Sequence, residues 1–160
     1  MMGATQIDQY GNQNIAAIGD YRKPKAQLLG LRGSPGNLIN HRTSYWVPNH
    51  SQRSFVSEVD IVSGPGYDRM RTLGQPDNRF HDVHRVVSNL GVFDFETPEN
   101  RMRIRSIHPG IEMSEVIENT SFELIIPADV VQTRIPDEEE LRIMDIIDPT
   151  GMRYQEVRGA

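Results

Sequence analysis

Three short apolar runs, set close together between residues 83 and 107, constrain this chain most. Residues 83–87 and 92–95 are β-branched and aromatic, and only Ser88-Asn89-Leu90-Gly91 divides them. Over 102–107, Met102, Ile104 and Ser106 alternate with Arg103, Arg105 and Ile107, the two-residue period of a strand with unlike faces. The spacing predicts a three-stranded meander. Helical signals follow it, so the fold class is α/β.

Met113, Val116, Ile117 and Thr120 have helical spacing after Pro109-Gly110, with Glu112 where a Ser or Thr cap is expected. A second helix carries a capping box of Asp137 and Glu140 behind Pro136, a stripe of Leu141, Met144 and Ile147, and a stop at Pro149 and Gly151. Upstream, 5–8 and 14–18 read as a hairpin joined at Tyr10-Gly11-Asn12, where Gly and Asn tolerate positive φ. Residues 24–31 read as a strand running into a glycine-rich loop over 30–37. A helical turn at 38–41, strands at 45–47 and 55–62, and a surface loop over 67–78 complete the expected order. An edge hairpin needs a sheet to join, so structure that starts by residue 5 suggests missing upstream sequence.

A length of 160 residues fits one domain. The net charge is -5 and the arginines are scattered, which disfavours nucleic acid as a partner. No apolar run approaches the roughly 20 residues that cross a bilayer, and the first residues lack a signal-peptide pattern, so a cytoplasmic location is expected. With no cysteine, thiolate nucleophiles, disulfides and thiolate metal sites are all excluded.

The loop Gly30-Leu31-Arg32-Gly33-Ser34-Pro35-Gly36-Asn37 could hold an anion on backbone N–H groups, or could simply be a tight turn. No Lys-Ser or Lys-Thr follows Gly36, and the order of glycines is not that of a dinucleotide fingerprint. Ser34 lacks the G-x-S-x-G setting of a hydrolase nucleophile. Asn40, His41, Thr43, Ser44, Tyr45 and Trp46 crowd polar and aromatic groups as a pocket wall would, with His41 either a base or a hydrogen-bonded structural residue. Trp46 reads as core. His81 and His84 are three apart on an expected strand, on opposite faces, which argues against a metal pair.

In order, Gly3-Ala4-Thr5-Gln6-Ile7-Asp8-Gln9-Tyr10-Gly11-Asn12-Gln13-Asn14, Ile18-Gly19-Asp20-Tyr21, the 30–37 loop, Val86-Val87-Ser88-Asn89-Leu90-Gly91-Val92-Phe93-Asp94-Phe95, His108-Pro109-Gly110 and Thr120-Ser121-Phe122 resemble β subunits of class I CoA-transferases of the glutaconate type. Within that family, Arg32-Gly33-Ser34-Pro35-Gly36-Asn37 and Val62-Ser63-Gly64-Pro65-Gly66-Tyr67-Asp68 look most like a branch of heteromeric CoA-ester hydrolases that open a steroid ring. The transferases tend to show Gly-Ser-Gly-Gly where this chain has Pro35.

The resemblance implies a CoA-transferase-type parallel sheet with added antiparallel strands, N-terminally incomplete, with 1–160 the C-terminal portion of one domain. It implies an α subunit in a heterodimer or heterotetramer, and an acyl-CoA substrate that brings coenzyme A with it rather than as a resident cofactor. A metal is not implied. Backbone amides of Gly33, Ser34 and Gly36 become the oxyanion donors, and Asn37, Asn40, His41, Ser44 and Tyr45 the substrate contacts. The glutamate that carries the thioester in transferases lies in an upstream segment that nothing here matches. A dicarboxylate or 3-oxoacid CoA-transferase, or a non-catalytic subunit that shapes its partner's pocket, are the alternatives.

Overall fold

A computed structural model describes residues 1–155. In chain order the elements are β1 (Met2–Gly3), β2 (Gln6–Ile7), β3 (Gln13–Asn14), β4 (Ala17–Ile18), β5 (Ala26–Gln27), α1 (Ser34–Asn40), β6 (Arg42–Val47), α2 (Tyr67–Leu73), β7 (Asp82–Ser88), β8 (Gly91–Asp94), β9 (Arg103–Ile107), α3 (Met113–Glu118), β10 (Val131–Gln132) and α4 (Glu138–Ile147). One six-stranded sheet runs β1-β6-β7-β8-β9-β10. β1, β6 and β7 are mutually parallel, the β7-β8-β9 meander is antiparallel, and β10 pairs parallel to β9. A parallel half with antiparallel strands added is thus the observed architecture.

The core lies on one face of this sheet. Tyr45 and Val47 of β6, Val86 of β7, Phe93 of β8 and Ile104 of β9 cluster there with Ile7, Phe55, Leu38 of α1 and Val116 of α3. His50, just past β6, is buried among them and stacks flat on Phe55 at 3.5 Å between centroids. Its ring nitrogens lie 3.0 Å from Ser88 Oγ and from Thr120 Oγ1, so it fastens β7 to the end of α3. On another strand-borne site the buried Asp94 accepts from Arg103 at 2.7 Å and from Arg105 at 3.4 Å. Burial raises that carboxyl, but the Arg103 hydrogen bond and the neighbouring charges outweigh it and hold the group below the usual carboxylate range.

Four expectations change. Residues 55–62 form no strand; Phe55 makes a single bridge to Ile7, and Phe55 and Val59 anchor an irregular segment by burial. The expected loop over 67–78 opens as α2, whose Tyr67 and Met70 turn inward, before Gly74 ends it at φ +69°. The 24–31 strand contracts to β5, which pairs with β4 in a two-stranded ribbon. Finally, the 30–37 loop is a loop for half its length, because α1 begins at Ser34 with Gly33 as its N-cap. Pro35 sits in the first helical turn, where its missing N–H has no intrahelical acceptor to lose and its fixed φ suits the helix. The meander, α3 and the α4 capping box form as expected, although no residue of α4 is buried.

Candidate active site

The hairpin β2–β3 supplies a buried polar frame. Gly11 turns it at φ +82°, where a Cβ would meet the Phe95 ring at 3.0 Å. Asp8 Oδ1 accepts from the N–H groups of Tyr10 and Asn12, and Asp8 Oδ2 accepts from Asn12 Nδ2 at 2.9 Å. Asn12 Nδ2 also donates to Asp68 on α2, and Asn12 Oδ1 accepts from Gly66 N–H. Asn14 reaches Gln6 Oε1 and Ala17 O, while Gln6 Nε2 donates to Asp60. Six amide or carboxylate side chains thus form a network that ties the hairpin to the β4–β5 ribbon, the 60–66 loop and α2. Burial of Asp8 outweighs its hydrogen bonds and pushes its carboxyl up to about 6.

Gln13 is the frame's central tie. Its Oε1 accepts from Ser34 Oγ at the start of α1, and its Nε2 donates to Gly3 O at the end of β1. Its backbone N–H donates to Gly64 O at 2.9 Å. Gly64 is required there, since a Cβ would overlap Leu38 and stand 2.8 Å from Ser34 Oγ. Gly3 lies opposite Trp46, so the first turn of α1 sits toward the carboxyl ends of the parallel strands. Open α/β sheets place ligands at that end. Asn37 N–H closes the first helical bond, to Gly33 O, so the amides of Ser34 and Gly36 precede any intrahelical acceptor. A Cβ at Gly36 would touch nothing within 4 Å, and Gly33 is also exposed.

The structure divides the expected site residues. Gly33, Ser34 and Gly36 share the first turn of α1, and Asn37 follows with Nδ2 donating weakly to Met2 Sδ at 3.8 Å. Asn40 turns back, its Nδ2 donating to Gly36 O at 2.8 Å. His41 is the exposed C-cap at the far end of the helix, its N–H on Asn37 O. Ser44 and Tyr45 lie mid-strand on opposite faces of β6, and Tyr45 is fully buried in the core with a hydroxyl that has no hydrogen-bond partner among the described residues. The crowded stretch 40–46 is therefore no single pocket wall: a helix end and an alternating strand distribute it over three surfaces.

Sequence reasoning missed a cavity of about 550 Å³ at the carboxyl ends of β1 and β6. Ala4, Gln6, Val47, Pro48, Arg53 and Val56 contribute to its lining, and Arg53 is exposed. The available signal was Val47-Pro48, a strand stopped abruptly at its carboxyl end. Elsewhere His81 Nε2 lies 3.0 Å from Pro65 O and its ring meets Tyr67 edge-on. Among the described residues no group of three or more His, Cys, Asp or Glu could hold a metal ion. No helix among them is long and apolar enough to cross a membrane.

A half-parallel, half-antiparallel sheet, with a helix start and a cavity at the ends of its parallel strands, defines an α/β chain of the CoA-transferase fold. The chain belongs to the Coenzyme A transferase family, whose profile matches residues 1–119. It is 52% identical over 161 residues to the cholesterol ring-cleaving hydrolase IpdB subunit of Rhodococcus jostii (strain RHA1), covering 98% of this chain and 62% of that relative. It superposes on the crystal structure of Rhodococcus jostii RHA1 IpdAB with a TM-score of 0.91 at 52% identity, covering 98% of this chain and 63% of that one. For glutaconate coenzyme A-transferase from Acidaminococcus fermentans the TM-score is 0.80 at 30% identity, over 89% of this chain and 55% of that one. The chain thus spans less than two thirds of the relatives it matches best among these.

Proposed function

We infer that this chain belongs to the β subunit of a heteromeric enzyme, working in the cytoplasm with an α subunit, that opens a ring of a steroid-derived cyclic ketone acyl-CoA by hydrolysis. One contrast carries the reading: likeness to a ring-cleaving hydrolase subunit stands at 52% identity and TM-score 0.91, against 30% and 0.80 for a transferase. The Gly33-Ser34-Pro35-Gly36 turn supports it, since Pro35 stands where transferases tend to carry glycine.

In this reaction a catalytic carboxylate takes a proton from water as the water oxygen adds to the ring ketone carbon. The bond from that carbon to the carbon beside the thioester then breaks, and its electron pair moves onto the thioester as an enolate. The carboxylate returns the proton to that carbon, leaving a carboxylic acid and an intact CoA thioester. The amides of Gly33, Ser34 and Gly36 receive the oxyanion, and each such donor typically contributes about 3 kcal/mol to a transition state. Coenzyme A arrives with the substrate.

The test is turnover in oxygen-18 water by the full-length chain co-produced with its α subunit. Ring-opened acid labelled in the new carboxyl, with the thioester intact, is the expected product. Exchange of labelled CoA between acyl acceptors without ring opening would make the protein a CoA-transferase instead. Full activity of the α subunit alone would reduce this chain to a pocket-shaping role.

A further inference from the structure

Helix α4 has an apolar side, and among the described residues nothing covers it: none of its ten residues is buried. A helix of that length is marginal in water unless one face packs on something. Leu141, Ile143, Met144 and Ile147 recur at three- and four-residue intervals and so share one side, yet they stand 40–71% exposed. Ile135 before the helix and Met152 and Tyr154 after it are each more than 60% exposed and add to this surface. Together these side chains present on the order of 800 Å², one partner's share of a standard protein interface. A groove of about 380 Å³ indents it, lined by Arg134, Pro136, Glu140, Ile143 and Met144.

The charges around this surface select the kind of partner. Residues 134–153 hold three arginines against six carboxylates. Each arginine is already engaged at 2.7 Å within the segment, Arg134 by Glu140, Arg142 by Glu139 and Arg153 by Asp145. The surplus is therefore acidic, from Asp137 and Glu138 at the helix start and Asp148 at its end. A second copy of the chain would bring the same surplus against it, and like charges at a rim oppose pairing. An unlike chain whose apolar surface is edged by Lys or Arg satisfies both the exposed side chains and the charge.

We propose that α4 is a docking helix for the α subunit, with Leu141, Ile143, Met144 and Ile147 entering an apolar groove there and basic side chains at the groove's edge meeting the carboxylates. The assignment rests on the heteromeric part of the reading above and is independent of the ring-opening chemistry. The contact serves assembly and takes no part in bond breaking.

The experiment uses the full-length chain co-produced with its α subunit, with no substrate present. The photoreactive amino acid p-benzoylphenylalanine replaces Ile147, and irradiation of the intact complex is expected to join this chain to the α subunit through position 147. In a second arm Ile143→Glu is combined with Ile147→Lys, a four-residue pair that favours the helix while removing its apolar side. Dissociation followed by analytical ultracentrifugation should then show affinity for the α subunit weakened on the order of 100-fold, the scale of two isoleucines no longer buried. Crosslinks only within the same chain would give α4 to the rest of this subunit, and crosslinks only between two copies would give it to self-association; either overturns the assignment, as does wild-type affinity in the double variant. The crosslink is read without the double variant, so poor folding of that variant cannot stand in for a lost contact. A complex that crosslinks and dissociates as expected but yields no ring-opened product leaves the docking helix standing and removes only the ring-opening reaction.

Discussion

The hydroxyl of Ser34 donates to the side-chain oxygen of Gln13, and neither residue is more than 1% exposed. Through that bond the first turn of α1 hangs on the hairpin β2–β3 rather than on its own short helix.

Gln13→Leu leaves a buried hydroxyl and the Gly3 carbonyl without partners, since the same side chain serves both. The buried hydroxyl costs about 1–3 kcal/mol and the carbonyl of exposed Gly3, which water can reach, adds less, so a fall of roughly 1–4 kcal/mol in unfolding free energy is expected. Ser34→Ala orphans only the Gln13 oxygen and should cost less. Urea titration of both variants checks the order, and equal losses would show that Gln13 does not link two elements.

Asp8 gives a distinct dependence on pH. Its carboxyl titrates at about 6 when folded and near 3.8 in the unfolded chain, so the unfolded state ionises first as pH rises. The stability it contributes is present below 3.8 and is lost as pH climbs to about 6, by up to roughly 3 kcal/mol. Asp8→Asn removes this loss but turns an amide toward Asn12 Nδ2. The variant should melt below wild type at pH 4 and recover relative to it by pH 7. A melting-temperature gap that stays constant over that range would show that Asp8 does not titrate.

His50 acts in the opposite sense. Burial lowers its ring to about 3 from 6.5, so its contribution is present above pH 6.5 and is lost as pH falls toward 3. The expected slope is about 1.4 kcal/mol per pH unit below 6.5. His50→Gln gives up the stack on Phe55 and melts lower at pH 7, but its curve between pH 6.5 and 4.5 should be flatter than wild type. Because Asp8 opposes His50 in that window, each effect is read from its own variant and not from the wild-type curve alone.

Helix α4 separates local from global stability. Asp137 Oδ1 accepts from Glu140 N–H at 2.8 Å and Asp137 N–H donates to Glu140 Oε2 at 2.9 Å, yet no residue of the helix is buried. Asp137→Ala should cost about 1 kcal/mol of helix stability. Amide exchange over 138–147 then quickens about fivefold while the core melting temperature stays put. A matching drop in the core transition would mean that α4 is coupled to the sheet.

What could be read from the chain divides by how local its cause is. The 83–107 meander and the Asp137–Glu140 box were legible, because strand alternation and capping act between residues a few positions apart. Phe55 and Val59 looked like a strand because burial selects the same apolar residues whether or not a ladder exists. α2 was hidden by the Gly74, Pro76 and Asn78 cluster that follows it, and α1 by glycines that suggest a turn while Pro35 starts a helix. For the site, motif resemblance pointed to the 33–37 turn. It could not show that Asn40 and His41 lie at the other end of α1 or that Tyr45 points into the core, because those facts depend on strand direction and sheet packing.

Two glycines near that turn should respond oppositely to an added side chain. Gly36 has a negative φ within α1 and open space where a Cβ would stand, and valine is a better helix former than glycine, so Gly36→Val should be neutral or slightly stabilising, by under about 1 kcal/mol. Its isopropyl group would nonetheless cover the exposed amides of the first turn. Gly64 has no such space: a methyl there overlaps Leu38 and lies 2.9 Å from Gln13 Oε1, so Gly64→Ala must push α1 away from the hairpin, at about 1–3 kcal/mol. If the amides hold the oxyanion, Gly36→Val keeps the wild-type melting temperature while kcat falls on the order of 100-fold, the scale of losing one oxyanion donor. Gly64→Ala instead lowers the melting temperature first, with activity falling as the turn shifts. Unchanged turnover by a fully folded Gly36→Val complex would remove the α1 turn from the reaction and leave the cavity beside Val47 and Arg53 as the place to look for it.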